Sequence, residues 1–179
     1  NTEDIQPIFA QHTGRINSTV IDRKWTTSTY NVQSLGVRSI NEVLRRLHTD
    51  IIGIQSTGTS WHFVQPQPGQ HCFIKNVDDY WVVFWPYGGY SSECTNKSCG
   101  VAIAVRRTII PRSALIATFS PDPQLQGRGG ALRIRLRGGG DFTIGVGYFP
   151  PAQLYYATEA SSLLWDWFAH VVQSCESEP

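Results

Sequence analysis

A short apolar run, Ile51 to Gln55, constrains this chain more than any other stretch. Ile-Ile-Gly-Ile-Gln shows no polar alternation, so it reads as a strand covered on both faces. Just before it, Val37, Ile40, Val43, Leu44 and Leu47 recur at helical spacing, with Arg38, Asn41, Glu42, Arg45 and Arg46 on the other face. That pattern predicts an amphipathic helix of about three turns. Earlier still, the β-branched and aromatic stretch TSTYNVQ, residues 27–33, predicts a strand, broken by Ser34-Leu35-Gly36. A right-handed crossover through the helix makes the two strands parallel.

Beyond residue 55 the pattern is mostly strands. HCFIKN (71–76), YWVVFW (80–85), GVAIAV (100–105), ALRIRL (131–136) and DFTIGVGYFP (141–150) are the candidates. ALRIRL alternates cleanly: Leu132, Ile134 and Leu136 are expected to face in, Arg133 and Arg135 out. Residues 86–99 read as a long Gly/Ser/Cys loop. Leu154, Leu163, Leu164, Trp167, Phe168, Val171 and Val172 trace the apolar face of a final helix of about 20 residues, opposite Glu159, Ser162, Asp166 and His170. The order is α/β, dominated by strands, with helices to cover a sheet. Residues 1–24 are polar and aperiodic and read as an N-terminal extension, leaving 25–179 as one domain.

Composition narrows the classes. A 41% apolar fraction supports a real core, and 16% charged is low for a freely solvated surface. The net charge of +1 names no partner. No apolar run reaches the roughly 18 residues of a membrane span. Four cysteines are too sparse for a disulfide scaffold. Cys94 and Cys99 bracket the loop-like TNKS, where two ordinary thiols are expected ahead of a local disulfide. The chain has no methionine and begins Asn1-Thr2-Glu3, so the expectation is a processed or cropped piece of a longer product.

The ordered series TYNVQSLG, amphipathic helix, DIIGIQ, GVAIAV, GRGGALRIRL, GVGYFPP and helix resembles the endonuclease/exonuclease/phosphatase superfamily. It is most similar to the apurinic-type endonuclease domains of LINE-type retrotransposons. The resemblance spans about residues 27 to 173. It implies a two-layer β-sandwich flanked by helices, here incomplete at the C-terminus, and Mg²⁺-dependent phosphodiester hydrolysis. Such chemistry needs a divalent cation to neutralise the phosphate under attack. Mg²⁺ in turn needs carboxylate oxygen, and a positioned base must take the proton from water.

Carried over residue by residue, the family's Asn at the end of the first strand matches Asn31. The Asp that apurinic-type members often place two residues later is Gln33. The metal-binding Glu that follows the strand-ending Gln, here Gln55, is Ser56. The phosphate-side Tyr matches Tyr148 in YFPP. The family's Gly-Asp-x-Asn and Ser-Asp-His motifs do not occur in these 179 residues. Asn31, Gln33 and Ser56 carry no formal charge, so strong Mg²⁺ binding is not expected. The expectation is a set of relic positions, Asn31, Gln33, Ser56 and Tyr148, with no active catalytic residue, no resident metal and no cofactor. Mg²⁺ enters only if the chain is the front part of an endonuclease. Asn31 as a turn cap and Tyr148 as a packed side chain are the plainer readings, and Ser56-Thr57-Gly58-Thr59 reads as a strand-end turn.

The arginines form a second candidate. Arg133, Arg135 and Arg137 share one strand face, and such a row can track a nucleic-acid backbone. A solvated strand face guarded by charge is the plainer reading. Three function classes follow. The first is a non-catalytic structural or interaction subunit of a larger assembly, whose partner subunits cover apolar sheet surface left open by the missing strands. The second is the N-terminal part of a Mg²⁺-dependent endonuclease. The third is a nucleic-acid-binding module using the arginine face.

Overall fold

The computed structural model describes residues 25–33, 40–61, 67, 69–88, 99–136, 140–150 and 157–176. Strand β1 (Thr27–Asn31) is followed by helix α1 (Ile40–Leu47) and strand β2 (Ile51–Gln55), and β1 pairs with β2 in parallel. The strand-helix-strand unit is therefore present as the apolar spacing predicts. Strands β3 (Phe73–Val77), β4 (Tyr80–Trp85) and β5 (Val101–Arg106) complete a five-stranded sheet in the order β1-β2-β5-β4-β3. Strands β6 (Leu115–Phe119), β7 (Gly129–Arg135) and β8 (Asp141–Gly147) form an antiparallel three-stranded sheet in the order β6-β7-β8. Helix α2 (Ala157–Glu176) follows.

Side-chain alternation builds the layers. Ile52, Ile54, Tyr80, Val82, Phe84, Ala102 and Ala104 turn one face of the large sheet toward Val43 and Leu44 of α1. Ile51, Trp81, Val83, Trp85, Val101, Ile103 and Val105 turn the other face toward Leu132, Ile134 and Val146 of the small sheet. Every residue of β4 is buried, because a central strand between a helix and a second sheet has no solvent face. Helix α2 closes the outer face of the small sheet. There a Cβ at Gly145 would stand 2.6 Å from the Phe168 ring, so that close approach needs a residue without a side chain. The layers run α1, large sheet, small sheet, α2: an α/β fold with a two-layer β-sandwich flanked by helices, as expected.

Three sequence expectations change. Strand β6 is absent from the sequence pattern. Its burial alternates along the strand, but the exposed position 116 carries Ile, so Leu-Ile-Ala-Thr-Phe shows no apolar/polar alternation in sequence. On α2, Leu164 and Val171 are buried, but Val172 is 51% exposed and leaves the expected apolar face. Arg133 does not face solvent; it is 8% exposed, because α2 covers the side of β7 that alternation marks as outward. Leu154, Arg137, Cys94, the 1–24 extension and most of the 86–99 loop lie outside the described residues.

One end of the sandwich carries a charge network. Asp50, just before β2, accepts from the Thr26 amide and hydroxyl at 3.0 Å each and faces Arg106 Nε at 3.4 Å. Arg106 donates to the Tyr80 hydroxyl at 2.9 Å, and that hydroxyl donates to the Thr49 carbonyl at 2.7 Å. The guanidinium also lies 5.1 Å from the Tyr80 ring centre, within cation–π range. Burial pushes the Tyr80 phenol above its ordinary value, against the opposing pull of Arg106.

Candidate functional site

The opposite end gathers the family-matched positions. Asn31 ends β1 directly across from Gln55, which ends β2. Tyr30 packs on the α1 side, so alternation turns Asn31 toward the second sheet. Gln55 reaches across the same interval: its Nε2 donates to the Gly147 carbonyl at the end of β8, 2.8 Å away. Tyr148 follows directly, and its amide donates to the Arg128 carbonyl at 2.7 Å. Asn31, Gln55, Ser56 and Tyr148 thus converge at one end of the sandwich, contributed by β1, β2 and β8.

Their local chemistry is that of turns and packing. Asn31 Oδ1 accepts from the Gln33 amide at 3.2 Å, closing an Asx turn in which Gln33 adopts a φ of 49°. The side-chain oxygen that would face a metal therefore holds backbone. Ser56 is 2% exposed at a φ of 56°, a conformation costing a non-glycine residue about 1–2 kcal/mol. Tyr148 is half-buried against Tyr87 and Cys99, with the Arg128 guanidinium 6.0 Å from its ring centre.

The Ser56–Thr59 turn offers no anion cradle. The Thr57 amide donates to the Gly100 carbonyl at 2.9 Å and the Gly58 amide to the Cys99 carbonyl at 3.0 Å. The Thr59 amide donates to Thr57 Oγ1 at 3.3 Å. Gly100, at a φ of +95°, lies so close that a Cβ would overlap Thr57 Oγ1. Successive amides that must point outward to bind phosphate are spent on the protein itself.

The residues present do not fit the divalent cation that this fold family implies. Asn31, Gln33 and Ser56 are neutral donors, and the Asn31 oxygen is engaged. Among the described residues no three His, Cys, Asp or Glu side chains come together. The group the sequence left in the background is Arg128, 6% exposed beside Tyr148. Its signal was the GRGG stretch, whose Gly127 packs against Tyr87 and whose Gly130 packs against Trp85.

The arginine row is clamped rather than displayed. Arg133 Nη2 lies 3.1 Å from Asp141 Oδ2, and Arg135 Nε lies 3.1 Å from Asp141 Oδ1. The Arg135 hydrogen bond, helped by both positive charges, holds the Asp141 carboxyl below its ordinary range. Arg135 is exposed and Arg133 is under α2, so these two do not form the open cationic stripe considered from sequence.

No protein-family model matches the chain, and no curated protein matches it. Solved structures do. The AP endonuclease LMAP from Leishmania major superposes with a TM-score of 0.51 at 12% identity, over 75% of this chain and 43% of its own. The APE2 catalytic domain from Xenopus laevis gives 0.49 at 18% identity, over 82% of this chain and 51% of its own. The first likeness establishes the fold as endonuclease/exonuclease/phosphatase-like; the chain spans less than half of that neighbour's length. No helix among the described residues is long and apolar enough to cross a membrane.

Proposed function

We propose that this chain, folded as an endonuclease/exonuclease/phosphatase-like sandwich, is a non-catalytic structural or interaction subunit of a larger protein assembly. The observation that carries the reading is the end of the sandwich where β1, β2 and β8 converge. Its positions 31, 33 and 56 hold an amide, an amide and a buried hydroxyl, and the Asn31 oxygen is bonded to the chain's own backbone. A hard cation finds no carboxylate in that set, and a hydrolytic step finds no base. The ordered motif series supports descent from a LINE-type endonuclease domain that lost this chemistry. Fold alone does not assign an activity, so the reading rests on the residues.

A second reading keeps one specific support. Asn31, Gln55 and Tyr148 still gather at one end, as the front part of a Mg²⁺-dependent endonuclease requires. The nucleic-acid-binding reading loses its main support, because Arg133 is buried and shares Asp141 with Arg135.

Purification of the native protein under mild conditions, with mass spectrometry of what migrates with it, tests the proposal. A stable particle of fixed stoichiometry is expected. A lone polypeptide that cleaves DNA in Mg²⁺ would overturn it.

A further inference from the structure

We draw no further inference here: the strongest candidate, the edge of β8 that no described strand pairs, with Trp165 and Val172 exposed on α2, is an unpartnered face, and nothing in the structure shows what covers it.

Discussion

The two ends of the sandwich differ in how they use polar groups. At the end where β2 begins, Asp50, Arg106, Tyr80, Thr49 and Thr26 form a network of charge and hydrogen bonds that ties four segments together. At the end where β2 finishes, Asn31, Gln55, Ser56 and Tyr148 are neutral, and their bonds serve turns and one cross-sheet tie. The first end spends its charged side chains on holding strands. At the second, beside these neutral groups, Arg128 is 6% exposed with its guanidinium 6.0 Å from the Tyr148 ring centre.

That contrast can be broken in graded steps. Asp50→Ala leaves Arg106, 23% exposed, without its carboxylate and removes both Thr26 bonds. Urea unfolding should show a loss of about 3 kcal/mol, as when one member of a largely buried ion pair is deleted. Ser56→Glu installs, at a site 2% exposed, the carboxylate that the sequence resemblance implies for this position. It should cost about 2 kcal/mol through desolvation of the new group, with no recovery of the thermal midpoint in Mg²⁺. Recovery would mean that a divalent ion does sit at this end. Asn31→Ala removes only an exposed Asx-turn bond and should cost about 0.5–1 kcal/mol; a catalytic Asn would instead change activity and leave stability alone.

The smallest effect is a pH dependence on the α2 side of the small sheet. Asp141 titrates below its ordinary range because Arg135 and Arg133 favour its charged form. Its contribution is therefore fully present above the ordinary carboxylate pKa and lost as pH falls through the lowered value. The stability gap between wild type and Asp141→Asn should be constant near neutrality and close in acid. A gap that widened in acid would show that the arginines do not hold that carboxylate.

Much of the architecture was legible because central strands advertise themselves. YWVVFW and Ile51–Gln55 became β4 and β2 with the expected bounds, since a strand covered on both faces has no reason to alternate. The parallel β1–β2 pair followed from a helix placed between two strands. Strand β6 was hidden because its exposed position 116 carries an apolar Ile, and the cover over Arg133 was hidden because alternation assigns a face but not what lies on it. The convergence of Asn31, Ser56 and Tyr148 followed from motif order. What these residues do there was not legible: Gln55 finds Gly147 across 92 residues, and the φ of Ser56 depends on the turn it closes.

The most direct measurement is cleavage of a defined DNA duplex by the purified chain in Mg²⁺, with Tyr148→Phe and Asn31→Ala alongside. The account predicts no turnover above a protein-free control for all three proteins. Cleavage by the wild-type chain that both substitutions abolish, with folding intact, would contradict it and place catalysis at the end of the sandwich where β2 finishes.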